Sequence, residues 1–180
     1  SLRGRHNAQN ALAAFAAAAG EKSLVAYLVD EGGYDAAQIA LCASTEFGLP
    51  VLDLDAMDTA ALSLHGVSDQ IVRKYRALPL FRRGSRLFAA LSDPTDYRAL
   101  DEIKFSSGLS TEAILVAHDK LTALVTRLLA YCLEYTEGIA FGKGIGQDDE
   151  PPVFAKDLTG QLTLWVEVGL PDADRLHRAS

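Results

Sequence analysis

Residues 77–91 read ALPLFRRGSRLFAAL, two apolar runs on either side of a short basic turn. Each run has the length of a strand, and the polar RRGSR between them reverses the chain, so the stretch predicts a β-hairpin with its arginines at the tip. Downstream, Ser92-Asp93-Pro94 stops the second strand, because proline has no N–H to give a ladder. A helix is predicted over 96–105 with Ala99, Leu100 and Ile103 inward and Gly108 near its end, then an apolar strand over 113–117. Asp119 is expected to cap a long helix carrying Leu121, Leu124, Val125, Leu128 and Leu129. Upstream, 51–54 reads as a short strand, 57–64 as a weak helix, and Ser68 caps another helix that runs through Arg76. Strand, helix, hairpin, helix, strand and helix make a small α/β unit with a short mixed sheet, so the fold class is α+β.

The chain before this unit reads as helices. Residues 7–19 are alanine-rich and stop at Gly20. Ser23 caps a second helix with Leu24, Tyr27 and Leu28 on one face, closing at Gly32-Gly33. Asp35 followed by Gln38 has the capping-box spacing for a third; Ile39, Ala43 and Phe47 form its inward stripe, and Gly48 and Pro50 end it. The expected organisation is a helical subdomain over 1–48 and the α/β subdomain over 49–127. Beyond Tyr135, a strand over 139–141, an acidic loop, a strand over 162–168 and a helix opened by Pro171-Asp172 are expected. Residues 128–180 therefore read as an incomplete segment, too small to bury a sufficient core alone.

Composition bounds the function. Of 180 residues, 49% are apolar and 23% charged, the balance of a folded globular chain. Residues 1–127 hold 13 Lys+Arg against 15 Asp+Glu, a balance of −2, whereas 128–180 hold 4 against 9, a balance of −5. That shift marks two segments of different character, and neither is basic enough for general nucleic-acid binding. No apolar run is long enough for a bilayer and no leader pattern opens the chain, so a cytoplasmic location without direct membrane insertion is expected. Cys42 and Cys132 lie in apolar helical patterns and read as buried free thiols, and the four histidines share no metal spacing.

Residues 137–153, EGIAFGKGIGQDDEPPV, have the look of a phosphate loop. A Walker loop needs G-x-x-x-x-G-K-[ST] before a helix, so that its N–H groups ring the phosphates and its hydroxyl holds magnesium. Here three residues separate Gly138 from Gly142, Gly144 stands at the hydroxyl position, and acids and prolines follow. The stretch is not a nucleotide site. Arg82, Arg83 and Arg86, with Arg73, Lys74 and Arg76 nearby, suit a phosphate or an acidic partner, or else form a solvated hairpin tip. Asp53, Asp55 and Asp58 read as outward carboxylates and a cap rather than a metal pair, and Tyr27, Phe47, Tyr75, Phe81 and Phe88 as core or interface anchors. Asp149, Asp157 and Glu167 are the acids a magnesium-dependent nuclease would need to converge.

Two resemblances to known families follow, on separate parts of the chain. FGLPVLDLD, ALPLFRRGSRLF, SDPTDYRALDEIKF and EAILV, within residues 8–127, resemble the N-terminal domain of pilus-assembly and type II secretion ATPases, type IV pilus extension motors above all. In that family the ATP-hydrolysing core lies beyond this domain. The resemblance thus implies a non-catalytic regulatory and docking module with no cofactor of its own, ATP and magnesium serving only the absent core. It implies work at the cytoplasmic face of the inner membrane, with the rest of the motor hexamer and the pilus platform as partners. A PilZ-type adaptor protein, coupling cyclic di-GMP signalling to pilus assembly and twitching motility, is the expected ligand. Tyr27, Leu28, Ile39 and Phe47 are the expected contacts, with core positions the equal alternative. Some relatives bind cyclic di-GMP directly through R-L-G-x-x-L-x-x-x-G. Aligned on Leu28 and Gly32, this sequence has Ser23, Leu24 and Val25 at the first three positions, so the arginine and the first glycine are missing.

The second resemblance covers residues 128–180. There LLAYCLEYTEGIAFGKGIG and DDEPPVFAKDLTGQLTLWVEVGLPDADR are similar to an internal piece of the YaeQ family, related to the PD-(D/E)xK nuclease fold. Glu167 matches the acid of its ExK element, but Gly169 takes the place of the lysine. Two unrelated resemblances that meet at residues 127–129 imply a fusion, such as a cloning product.

Overall fold

The computed structural model describes residues 20, 22–57, 66–142 and 151–169. The helix expected over 7–19, nearly all of that over 57–64, most of the acidic loop and the helix after Pro171 lie outside the described residues. What is described is α+β, with five helices and two three-stranded sheets.

Helix α1 (Leu24–Asp30) starts where Ser23 Oγ accepts the Ala26 N–H at 3.1 Å, and α2 (Ala36–Phe47) where Asp35 Oδ1 accepts the Gln38 N–H at 2.8 Å. Gly48 closes α2 in the left-handed conformation, at φ 67°. The inward faces differ from the expected stripes. Val25 and Ala26 are the buried residues of α1 and Ala36 and Ala40 those of α2, while Phe47, in the last turn of α2, is 44% exposed. The strand expected at 51–54 shrinks to one bridge, Val51 to Leu115. Asp53 Oδ1 takes the Asp55 N–H at 3.0 Å and turns the chain into a 3₁₀ turn, Leu54–Ala56.

The first sheet follows α3 (Asp69–Tyr75). Strands β1 (Leu78–Arg83) and β2 (Arg86–Leu91) are the expected antiparallel hairpin, and β3 (Ser110–Leu115) runs parallel to β2. Burial in the hairpin does not alternate. Leu78, Pro79, Leu80, Ala89, Ala90 and Leu91 at its base are all buried, and the arginine tip is exposed. A sheet packed by helices on both faces gives that pattern. Pro79 sits on edge strand β1 beside a register shift, where a missing N–H costs the ladder least. Helix α4 (Tyr97–Ser107), capped by Asp96, crosses from β2 to β3 and buries Ala99 and Ile103. Helix α5 (His118–Leu133) starts at Ala117 with no side-chain cap, so Asp119 lies in the first turn instead of capping it. Leu121, Leu124 and Val125 of α5 join Val72, Leu78, Leu87 and Ile103 in one core, where each fully buried aliphatic side chain contributes roughly 1.5–3 kcal/mol. Cys42 and Cys132 are exposed free thiols; both were expected inside.

The second sheet is antiparallel, in the order β4 (Ile139–Phe141), β5 (Val153–Lys156), β6 (Leu162–Val166). The central strand β5 was missing from the sequence reading. Two glycines of the false phosphate loop, Gly138 and Gly142, serve this sheet. A Cβ on Gly138 would collide with the Lys156 carbonyl, and the Gly142 N–H donates to Pro152 O at 3.1 Å. Asp157 Oδ1 accepts from the Thr159 N–H, the Thr159 hydroxyl and the Gln161 N–H, closing the turn between β5 and β6. Helix α5 touches α1, α2, α3, β2, β4 and β5, so it runs through both halves of the molecule.

Candidate functional site

The end of β2 and the start of α4 come together with the start of α1, the end of α3 and the first residue of α5. Between them lies an open cleft of about 1040 Å³. Its cations are Lys22, Lys74, Arg76 and Arg98; its acids are Asp30, Asp93 and Asp96; Tyr75 and Tyr97 supply rings. The acids are largely engaged within the protein. Asp93 Oδ1 takes the Thr95 N–H and hydroxyl at 2.9 and 2.6 Å, and Asp96 caps α4 through the Ala99 N–H at 3.4 Å. Two of the cations are engaged as well. Lys22 pairs with Glu31 at 2.7 Å, which raises its pKa, and Lys74 lies 4.8 Å from the Tyr75 ring centre, its pKa raised by a hydrogen bond to Tyr75. Arg76 and Arg98 make no hydrogen bond or ion pair among the described residues. Arg76 also closes α3 at φ 48°, the one non-glycine residue at positive φ among the described residues. Such a backbone costs on the order of 1–3 kcal/mol and clusters at ligand sites.

His118 forms the inner wall of the cleft. It is 4% exposed, shares a 3.0 Å hydrogen bond between Nδ1 and Ser92 Oγ, and leaves Nε2 without a hydrogen-bond partner among the described residues, 3.8 Å from Asp30 Oδ1. Burial, reinforced by Arg76, holds its pKa below the usual 6.5 against the opposing pull of Asp30, Asp119 and Asp93. The imidazole is therefore neutral at pH 7, a polar group that presents no charge of its own. The cleft can seat a ligand that carries negative charge for the two guanidiniums and a flat ring for the tyrosines.

The residues singled out in the sequence fall in three places. Tyr27, Leu28 and Ile39 are half-buried between the first two helices and the rest, and Phe47 reaches solvent. The apolar side chains that the helical layer presents are Tyr34 (53% exposed), Leu41 (52%) and Phe47; the first two were missed. Arg82, Arg83 and Arg86 are all exposed at the hairpin tip, away from the cleft lining. Arg82 Nε donates to Gly84 O at 2.7 Å and Arg86 pairs with Glu112 at 2.8 Å, which leaves Arg83 as the tip's uncommitted cation among the described residues. Of the nuclease acids only Asp157 and Glu167 are described, and each is engaged within the protein. Asp157 belongs to a turn and Glu167 accepts from Trp165 Nε1 at 2.8 Å, while Asp149 lies outside the described residues. Among the described residues no three His, Cys, Asp or Glu side chains are grouped to hold a metal, and no helix is long and apolar enough to cross a membrane. Asp53 and Asp55 are a cap and the 2.6 Å partner of Lys120.

Comparison with known proteins divides the chain in the same way. Residues 47–131 match the family model of the MshEN domain, and residues 110–180 match that of the YaeQ protein. The chain is 36% identical over 118 residues to the type IV pilus assembly ATPase PilB of Pseudomonas aeruginosa, which covers 66% of this chain and 20% of PilB. It is 36% identical over 56 residues to the uncharacterised protein YaeQ of Escherichia coli, 31% of each chain. The fold is similar to the solved N-terminal domain of XpsE, with a TM-score of 0.52 at 21% identity over 69% of this chain and 88% of that one. Both resemblances read from the sequence are thus found. The chain spans about a fifth of its pilus relative and under a third of its YaeQ relative, and the matched pilus region is the N-terminal domain, not the catalytic core.

Proposed function

We propose that the front of this chain is the non-catalytic regulatory and docking domain of a type IV pilus extension ATPase, and that it receives a PilZ-type adaptor on helices α1 and α2. The observation that carries this reading is the pairing of a PilB-like sequence with exposed Tyr34, Leu41 and Phe47 on the helical layer. Aromatic side chains such as Tyr34 and Phe47 are enriched at the core of protein interfaces. The domain would act at the cytoplasmic face of the inner membrane, beside the rest of the hexamer and the pilus platform, and would need no cofactor. Calorimetric titration with a PilZ-type protein tests it. Saturable binding, weakened at least tenfold by combined Leu41→Ala and Phe47→Ala, is expected; no heat and no co-elution at high micromolar concentration would count against it.

A second reading, direct binding of cyclic di-GMP, is favoured by the cleft. Two guanidiniums that make no side-chain hydrogen bond or ion pair among the described residues suit its phosphates, and Tyr75 and Tyr97 suit its bases. Ser23, at the position of the motif's missing arginine, and Leu24, at its leucine position, line this same cleft. Nucleotide titration separates the two readings, because adaptor binding should tolerate Arg76→Ala and Arg98→Ala whereas nucleotide binding should not. The back segment, by its YaeQ likeness, is proposed to be a fused piece without nuclease activity. Sequencing the native gene tests the fusion, and one continuous native reading frame across residues 127–129 would overturn it.

A further inference from the structure

Arg127 is the most deeply buried charged group among the described residues, at 1% exposure. Nothing in its helix explains that burial. It is a charged residue on α5, and the described residues of the front segment offer it no carboxylate. What covers it is the back segment. Nη2 donates to Gly142 O at 2.9 Å and to Pro152 O at 3.2 Å, and the guanidinium lies 5.7 Å from the centre of the Phe141 ring. The Phe141 ring stacks on Tyr131, one helical turn past Arg127, at 4.6 Å and 18°. Gly142 and Pro152 are joined by their own hydrogen bond where β4 and β5 meet the loop between them. The guanidinium of Arg127 thus holds the loop end of that strand pair against α5 through one nitrogen, Nη2. Among the described residues no acid pairs with it, Nε has no partner, and loss of water lowers its pKa.

We infer that Arg127 makes the two unrelated segments one folding unit, by using its guanidinium to hold the back sheet on α5. This contact is an internal interface and stands apart from any ligand of the front domain. Its geometry says why arginine is used. Both carbonyl bonds leave one nitrogen, so a lysine ammonium has donors enough for them, but it has no planar face to lay toward the Phe141 ring. A methionine fills similar space but leaves the Gly142 carbonyl without its donor.

The chain carries its own reporter, because Trp165 is its single tryptophan and lies on β6. Urea unfolding followed by Trp165 emission reads the back sheet, and far-ultraviolet circular dichroism reads the helices, all of which, among the described residues, precede the back sheet. In the wild-type chain the two midpoints should coincide. In R127M, and to a lesser degree in R127K, the Trp165 midpoint should fall by about 0.5 M urea or more relative to the helical one, a shift well above the error of such midpoints. Midpoints already separate in the wild type would overturn the inference. So would curves that move together in R127M, stay in place, or vanish together because the variant does not fold.

Discussion

At the scale of single residues, His118 makes stability depend on pH in a direction that its surroundings fix. Its pKa is lowered chiefly by burial at the foot of the cleft, and Arg76 adds to that against the opposing pull of Asp30, Asp119 and Asp93. In the unfolded chain the imidazole takes a proton near its ordinary value of about 6.5. Just below that pH the unfolded state holds more protons than the folded one, so acid favours unfolding. The contribution of a neutral His118 is complete above pH about 6.5 and is lost as pH falls through the lower, folded value. Asp157 is also depressed, by the hydrogen bonds of its turn, but a carboxylate below its usual 3.8 titrates outside this window. The melting temperature of the wild-type chain should therefore fall further between pH 7.5 and 5.5 than that of His118→Gln. Equal slopes for the two proteins would show that Asp30 already holds the proton in place.

Elements impose a sharper contrast, because neighbours on one strand meet different environments. Leu87 is fully buried on β2, while adjacent Arg86 lies at the exposed end and pairs with Glu112 across side chains 62% and 42% exposed. Leu87→Ala removes core volume that its neighbours cannot refill and should cost about 3 kcal/mol. Arg86→Ala removes a solvent-screened pair and should cost under about 1 kcal/mol. Urea unfolding of both variants checks the difference, and similar costs would contradict the register of the hairpin. This hairpin was legible in the sequence because Arg-Arg-Gly-Ser-Arg between two apolar runs leaves the chain one way to fold. Two caps were legible for a similar local reason, since Ser23 and Asp35 act within three residues of themselves, whereas Ser68 stands at the N-cap of α3 with no side-chain bond and the cap Asp96 was read as part of its helix. Strand β5 was not legible. Its four residues follow two prolines and are strand only because β4 and β6 flank them. Nor was the exposure of Cys42, because α2 is apolar nearly all round and only its packing selects the Ala36–Ala40 face. The cleft was invisible to spacing, since Arg76, Arg98 and His118 meet there from three separate elements.

For the whole molecule, the central fact is that one helix belongs to both halves. The MshEN and YaeQ family models overlap over residues 110–131, which contain β3 and most of α5. The faces of α5 divide accordingly. Leu121, Leu124 and Val125 enter the front core, whereas Arg127 and Tyr131 meet the back sheet. Removing residues 135–180 should therefore leave the front core and the cleft intact, because none of the residues that build them is lost. It should also strip the cover from Arg127 and Tyr131. Regained hydration of the guanidinium offsets part of that loss, so the cost is that of the apolar contact around Phe141 and of the strand pair seated on the helix. For a chain of this size about 1 kcal/mol moves the melting temperature by 2–4 °C, and a drop of about 5 °C with helical content retained is the expected outcome. An unchanged melting temperature would make the back segment a passenger. A truncated chain that failed to fold would mean that the front core is not self-sufficient, and that the docking surface on α1 and α2 depends on the back sheet.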